Sequence, residues 1–168
     1  MTELILIAHN LRSTHNVGSL LRTAEGLGVT EVILSGYTPY PLLATEDRLP
    51  HLAHKIDHQI TKTALGAENT QVWSQSADIM VTIAKLRADG YGIAAIEQAE
   101  RSIPLPNYIA PPKLVLLVGR EVEGIEPEVL ALCDHVLEIP MFGQKESFNV
   151  VQAAAMALYQ ITFQLSSC

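Results

Sequence analysis

The sequence contains little cysteine and no long apolar run, and each shortage excludes a class of protein. Its two cysteines, Cys133 and Cys168, are too few and too widely spaced for a disulfide framework or a zinc site, so we expect reduced thiols and no metal. Apolar runs such as 114–118 fall far short of the roughly 20 residues of a membrane helix. The N-terminus lacks the basic flank and apolar core of a signal peptide. We therefore expect a cytoplasmic protein.

Cations are scarce as well, and the net charge is −7. Most of that charge lies in one segment without Lys or Arg, which contains Glu121, Glu123, Glu126, Glu128, Asp134 and Glu138. The rest of the chain is nearly neutral, so a nucleic-acid surface elsewhere is not excluded. So few cations predict only weak phosphate affinity by counterion release.

What is present is typical of one globular domain. Hydrophobic residues make up 48% of the 168 residues and charged residues 17%. No repeat, linker or charge block divides the chain, so we expect a single domain over residues 1–168.

Short apolar runs alternate with helical patterns. The runs predict buried strands at 4–8, 32–34, 91–96, 113–118 and 136–139. Apolar spacing predicts helices over 17–27, 76–88 and 150–163. This alternation indicates an α/β fold with a mainly parallel sheet flanked by helices. Ligands would then bind in the loops at the carboxyl ends of the strands.

The first candidate motif comprises Asn16, Gly18 and Arg22 at the start of a predicted helix. Glycine inside a helix costs up to about 1 kcal/mol against alanine, so Gly18 indicates that another segment packs closely there. A structural interpretation stays open, in which Asn16 is the N-cap and Arg22 is a surface cation.

Two further motifs follow predicted strands. The loop from Gly119 through Glu121 to Gly124 has neither the Lys-Ser/Thr ending of a P-loop nor a G-x-G-x-x-G fingerprint, and a plain strand-to-helix turn is its alternative interpretation. The segment from Ile139 leads through Ser147 to Asn149 and a last helix. Either polar residue would also serve as a helix N-cap.

Taken in order, these motifs resemble the SpoU/TrmH branch of the SPOUT RNA methyltransferases. The matching elements are Asn16/Gly18/Arg22, then Gly119/Glu121/Gly124, then Ile139-Pro140-Met141 followed by Ser147/Asn149/Val150. Segments 62–68 and 96–98 add similarity, so the resemblance covers nearly the whole chain. Phe148 and Arg120 depart from the usual sequence pattern of the family. We expect these two departures to affect which substrate is chosen more than which reaction is catalysed. We expect a single methyltransferase domain without the additional RNA-binding extension that many family members carry.

The resemblance implies a C-terminal deep trefoil knot, a homodimer, and S-adenosylmethionine as donor for methylation of a ribose 2'-oxygen in tRNA or rRNA, with S-adenosylhomocysteine as product. The cofactor residues that it implies are Ile96, Gly119, Gly124, Ile139, Met141, Ser147 and Phe148. The reaction residues that it implies are Arg22, Asn16, Glu121, Ser147 and Asn149.

Roles for these residues follow from their chemistry. A guanidinium keeps its proton, so we expect Arg22 to clamp an RNA phosphate or the 2'-oxygen. Asn16 and Asn149 would position it, Glu121 would orient it, and Ser147 would contact cofactor or ribose. Two alternative functions stay open. One is a catalytically silent RNA-binding protein of the same fold. The other is a different α/β nucleotide-binding enzyme, and the absence of a phosphate-binding loop argues against it.

A basic helical face lies close to the first motif in the sequence. Its members are His51, His54, Lys55, His58 and Lys62, while Leu52, Ile56 and Ile60 lie off it. It predicts either an RNA contact that strengthens near pH 6 or a solvated amphipathic helix.

Overall fold

The computed structural model describes residues 3–166, which form one sheet of seven strands with helices around it. In chain order the elements are β1 (Glu3–His9), α1 (Thr14–Gly26), β2 (Glu31–Ser35), α2 (Pro50–Ala64), α3 (Ala67–Thr70), β3 (Trp73–Ser76), α4 (Ile79–Ala88), β4 (Gly92–Ile96), β5 (Ile103–Pro104), a 3₁₀ turn (Leu105–Asn107), β6 (Lys113–Val118), α5 (Pro127–Leu130), β7 (His135–Glu138) and α6 (Val150–Ser166). The strand order is β3-β2-β1-β6-β4-β7-β5, and every pairing is parallel. The predicted α/β class with a parallel sheet is confirmed.

Strand β1 contributes to both core layers because its side chains alternate across the sheet. Leu4, Leu6 and Ala8 pack in the layer that holds the buried residues of α1, α2 and α6. Ile5 and Ile7 pack in the opposite layer with the buried residues of α4. Burial on both faces explains why the central strands are almost wholly apolar.

Helix α1 begins earlier than the sequence pattern indicates. Ser13 is its N-cap, with an extended backbone and a side chain that accepts a hydrogen bond from the Asn16 amide at 3.2 Å. The interpretation of Asn16 as N-cap is therefore wrong, because the hydroxyl of Ser13 already satisfies that free amide. Asn16 lies in the first turn, and its side chain is left for another partner.

Three other differences concern the ends and edges of elements. The helix predicted from Ser76 begins at Ile79, because the side chain of Asp78 caps it by accepting from the Met80 and Val81 amides. Ser76 instead ends β3, an edge strand that we did not predict. The two-residue strand β5 was also not predicted.

Gly18 is where α2 approaches α1. A Cβ added there would lie 2.2 Å from both the Ile60 carbonyl oxygen and the Thr63 hydroxyl. The expectation that a segment packs closely on this glycine is confirmed. The Thr63 hydroxyl also donates to the His15 carbonyl at 2.9 Å, and the Thr14 hydroxyl donates to the side chain of Gln59 at 3.2 Å. Helix α2 is thus packed against and hydrogen-bonded to the first turns of α1.

Two further observations concern the described part of the chain. No helix within residues 3–166 has both the length and the apolar character to cross a membrane. Cys133 is a free thiol whose pKa burial raises to about 11, and the second cysteine, Cys168, lies outside the described residues.

Candidate active site

A cleft opens at the carboxyl ends of β4, β6 and β7, where the loops after these three strands meet. Its lining residues are Ile96, Glu97, Gln98, Val118, Gly119, Arg120, Glu121, Val122, Glu123, Gly124, Leu137, Glu138, Ile139, Ser147, Phe148, Val150 and Ala153. Six of the seven residues expected at the cofactor are in this set, and Met141 is not. Glu121 and Ser147 of the expected reaction residues also line the cleft.

The loop after β6 depends on its two glycines. A side chain at Gly119 would meet the side chain of Ile125 at 2.4 Å. Gly124 has a φ of 71°, in the left-handed region that favours glycine, and a Cβ there would lie 2.3 Å from a carboxylate oxygen of Glu97. The Gly124 amide donates to the Arg120 carbonyl at 3.2 Å and closes the turn. The glycines therefore let the backbone fold tightly beside the cleft.

Glu97 holds the loop after β6 in place by hydrogen bonding. We did not predict it as a site residue. Its carboxylate accepts from the Ile125 amide at 3.1 Å, and its own amide donates to the Leu137 carbonyl at 3.0 Å. The next residue, Gln98, donates to the Glu146 carbonyl at 2.6 Å. Glu97 and Gln98 thus connect the loops after β4, β6 and β7 by hydrogen bonds. Its signal in the sequence is a charged residue directly after a buried strand.

Glu121 joins the cleft to the first motif. Its carboxylate accepts from the Asn16 side chain at 3.0 Å and from the backbone amides of Ser13 and Arg12 at 3.4 and 3.5 Å. A carboxylate that accepts from free amides at the start of a helix is in a favourable field. The structure thus places Asn16 beside the cleft through its contact with Glu121.

Arg22 stands apart from this group within one chain. It is exposed on α1, about 9 Å further along the helix axis than Asn16. Within residues 3–166 it makes no hydrogen bond or ion pair, and it does not line the cleft. The structure therefore brings Asn16, Glu121 and Ser147 to the cleft without Arg22.

Asn149 caps α6. Its side chain accepts from the Val151 amide at 2.9 Å, and its carbonyl accepts from the Ala153 amide at the same distance. Ser147 is exposed at the cleft and has no hydrogen-bond partner in the described chain. Of the two candidate caps, Asn149 performs that task, and the Ser147 hydroxyl stays available for a ligand.

A polar cluster lies behind the cleft at the end of β1. Asn10, at a φ of 56°, donates from its side chain to Glu126 at 3.0 Å, and the buried His9 ring lies 3.3 Å from the other carboxylate oxygen of Glu126. His9 also bonds to Ser35 at 3.1 Å, and Arg120 lies 3.6 Å from Glu126. These contacts connect the loop after β1 to the loop after β6. We did not predict this cluster.

The cluster changes the titration of two of its groups. Burial lowers the pKa of His9, against the opposing effect of the negative charge on Glu126. Burial raises the pKa of Glu126, but hydrogen bonds from its own amide and from Asn10, together with the positive charges of His9 and Arg120, lower it overall. The structure therefore favours a neutral imidazole beside a carboxylate.

An apolar groove adjoins the cleft along α6. Ile139 and Phe148 line both. Phe142 is 99% exposed and Tyr159 is 57% exposed at the same groove. The ring of Tyr159 packs on that of Phe163, with centroids 4.5 Å apart. Large apolar side chains gathered on one exposed face are typical of a protein interface.

Two relatives match nearly the whole chain in sequence. A relative from Staphylococcus aureus that is assigned to the TrmH family is 29% identical over 157 residues, which are 94% of this chain and 57% of the relative. A tRNA (guanosine(18)-2'-O)-methyltransferase from Borreliella burgdorferi is 25% identical over 96% of this chain and 67% of its own length. The chain thus spans little more than half of the first relative.

The fold itself recurs among solved structures. An AdoMet-bound rRNA methyltransferase from Sinorhizobium meliloti matches with a TM-score of 0.82 at 22% identity, over 97% of this chain and 57% of the other. The model of the SpoU rRNA Methylase family matches residues 3–159, which include all three motifs. The chain therefore belongs to the SpoU rRNA Methylase family.

Proposed function

We propose that this protein is an S-adenosylmethionine-dependent RNA methyltransferase that methylates a ribose 2'-oxygen of tRNA or rRNA. The observation that carries the proposal is the convergence of the second and third motifs on one cleft, which Glu121 connects to Asn16 of the first motif. Family membership supports an RNA methyltransferase. The Borreliella relative is named as a 2'-O-methyltransferase, and the Sinorhizobium protein was solved with AdoMet bound.

The cleft residues fit this cofactor by charge and by polarity. The carboxylates of Glu97, Glu121, Glu123 and Glu138 outnumber the single cation, Arg120, which suits a positively charged sulfonium. We propose that Ile96, Gly119, Gly124, Ile139, Ser147 and Phe148 hold the cofactor, with apolar side chains around the adenosine and backbone groups facing its base. When bound, the cofactor supplies an electrophilic methyl group.

The side chains then contribute mainly by positioning. Holding a hydroxyl oxygen in line with the reacting carbon lowers a barrier by up to about 7 to 11 kcal/mol in ideal cases. We propose that Ser147 contacts cofactor or ribose, that Asn16 and Asn149 position the arginine, and that Glu121 orients it. Arg22 keeps its proton and clamps an RNA phosphate or the 2'-oxygen, and the proton of the 2'-hydroxyl is released as its oxygen takes the methyl group.

We further propose that the enzyme is a homodimer. The apolar groove along α6 shares Ile139 and Phe148 with the cleft, so a second copy seated there would border the site. Arg22 is exposed and outside the cleft of its own chain, and such a pairing allows it to serve the cleft of the other protomer. The site would then be complete only in the dimer.

We also propose that residues 1–168 act as one domain with a C-terminal trefoil knot. The single sheet, with core layers on both faces, supports one domain. Membership of the SpoU family supports the knot, and helix α6 contacts the segment after β5. Gln160 donates to the Leu105 carbonyl at 2.5 Å, and Gln164 donates to the Tyr108 carbonyl at 2.9 Å.

Calorimetry with S-adenosylmethionine, S-adenosylhomocysteine and NAD tests the proposal. We expect binding of the first two and not of NAD. The Arg22→Lys variant should lose most methyl-transfer activity, because lysine cannot form a bidentate hydrogen-bonded contact with phosphate. Its cofactor binding should be retained. Absence of cofactor binding would leave a silent RNA-binding protein or a different nucleotide enzyme. Near-normal turnover of Arg22→Lys would contradict the clamp.

A further inference from the structure

We propose that the exposed basic face of α2 is a docking surface for the phosphate backbone of the substrate RNA. The face comprises His51, His54, Lys55, His58 and Lys62. This inference rests on the proposed function, because it assigns the surface by which that enzyme holds its substrate.

All five side chains of the face are exposed. None makes a hydrogen bond or an ion pair with any residue from 3 to 166. Apart from the adjacent pair His54 and Lys55, they follow one another at three or four residues, which places them along one side of the helix over roughly 16 Å. A row of that length reaches several consecutive phosphates of a nucleic acid. The chain carries a net charge of −7, so this basic row stands out against the rest of the molecule.

Three of the acidic groups on and around the helix are held by other partners. Asp57 accepts from the Leu42 amide at 2.9 Å, Glu68 accepts from the Gly66 amide at 3.0 Å, and Glu46 pairs with Arg48 at 2.5 Å. The remaining charged or titratable groups on the elements around α2 are His15, Arg22 and Glu25 of α1, and Tyr37, Tyr40 and Asp47 of the preceding loop. Among these, Arg22 is offset by Glu25 and Asp47, so the basic character rests on the five residues of the face itself.

The face is rigidly connected to the cleft. The close approach at Gly18 and the bond from Thr63 to the His15 carbonyl fix α2 on α1. The first turn of α1 carries Asn16, which donates to Glu121 at the cleft. RNA held on α2 would therefore lie at a fixed offset from the site of methyl transfer.

The chemistry of the helix favours RNA over an anionic membrane. A helix that lies on a membrane needs a free apolar face to enter the lipid. In α2 that face is occupied, because Ala53, Ile60 and Ala64 are buried and Ile56 packs against the same core. Within α2 one large apolar side chain, Leu52, is 43% exposed, which is too little for a membrane-binding face. The larger surface left for a partner is the basic side, and backbone phosphates match it.

The test compares Lys55→Gln/Lys62→Gln with Lys85→Gln, which changes an exposed lysine on α4, on the other side of the sheet. Binding of unfractionated tRNA and rRNA is measured across salt concentrations. At about 0.1 M salt each lysine should account for about fivefold in affinity, and the double variant should lower the salt slope by about two. Lys85→Gln should bind as the wild type does.

Cofactor calorimetry on the same variants separates this inference from the proposed function. Wild-type RNA affinity in the double variant, with cofactor binding intact, would overturn the docking surface alone. A wild type that binds no cofactor would overturn the proposed function, whatever α2 does. Binding of the face to anionic vesicles in place of RNA would also overturn the docking surface.

The histidines provide an independent readout. Wild-type RNA binding should be tighter near about pH 6 than near about pH 8, because a protonated imidazole on the face would attract phosphate. His54→Gln/His58→Gln should lose much of that difference and retain the lysine-dependent salt slope. A flat wild-type profile would overturn the role of the histidines.

Discussion

At the scale of single residues, Glu121 has the most consequential contacts. One carboxylate accepts from Asn16 and from two backbone amides before α1, and it also lines the cleft. Charge on that carboxylate strengthens each of these bonds. The first and second motifs depend on this side chain for their relative position.

We expect Glu121→Gln to lower kcat by about 10- to 100-fold, because a hydrogen bond to a charged group contributes about 1.5–3 kcal/mol. Methyl transfer to RNA is the measurement. Glu128→Gln removes the same charge from an exposed position on α5 and should leave kcat within about twofold. Equal rates for the two variants would show that Glu121 has no part in the reaction.

His9 makes the fold sensitive to acid. Its pKa is lowered in the folded protein and is about 6.5 in the unfolded chain. The unfolded chain therefore binds more protons as the pH falls through that value, and the free energy of unfolding decreases. The lowered pKa of Glu126 adds a further loss below its ordinary value of 4.5.

Urea unfolding at about pH 7.5 and about pH 5.5 measures this effect of His9. The wild type should be less stable at the lower pH. His9→Gln cannot titrate there and should show a smaller difference between the two values, even if it is less stable at both. A difference as large as that of the wild type would exclude His9 as the source.

Residues of the site differed in how well the sequence predicted them. The glycines and Glu121 follow a recognisable buried strand, so their place at its carboxyl end could be foreseen. The cluster of His9, Asn10 and Glu126 could not, because its members come from loops far apart in sequence and a buried histidine carries no local signal.

At the scale of elements, the contact between α1 and α2 depends on Gly18. A methyl group there would collide with the backbone of α2, whereas Gly26 in the same helix has nothing within 4 Å of an added Cβ. The two positions form a matched pair within one helix.

Thermal unfolding should distinguish these glycines. Gly18→Ala should destabilise the protein by about 1–3 kcal/mol, since overpacking forces the helices apart. Gly26→Ala should be neutral or stabilising by up to about 1 kcal/mol, because alanine favours a helix. Equal melting temperatures for the two variants would contradict the close approach.

Elements buried on both faces could be predicted, and those at the edges could not. Strand β6 was predicted with its observed bounds because it is apolar from its second residue to its last. Strand β3 contains Trp-Ser-Gln-Ser at an edge, where one neighbour and partial burial demand no apolar run. The start of α1 was misplaced because Ser13 and Asn16 are both good caps, and sequence spacing alone did not separate them.

At the scale of the whole molecule, the proposed dimer requires the apolar groove along α6. Tyr159→Glu would place a charge in that groove, and we expect a monomer by analytical ultracentrifugation. Val81→Glu changes an exposed apolar residue on α4 and should leave the dimer intact. A wild-type monomer, or a Tyr159→Glu dimer, would contradict this interface.

A heterodimer of two inactive variants tests whether the site is shared. One protomer carries Arg22→Ala and the other Ser147→Ala, with different tags so that only the mixed dimer is purified. If Arg22 serves the opposite cleft, one of the two sites is intact, and about half of the wild-type activity returns. If Arg22 acts within its own chain, the mixed dimer is as inactive as each parent.

The nature of the product tests the central claim most directly. The purified protein is incubated with S-adenosylmethionine labelled in its methyl group and with tRNA or rRNA from cells that lack the gene, and the RNA is then hydrolysed in alkali. A methyl group on a ribose 2'-oxygen removes the hydroxyl that alkaline cleavage requires, so the label should appear in alkali-resistant dinucleotides. Label recovered in mononucleotides would mean base methylation, and either that result or unlabelled RNA would contradict the proposed reaction.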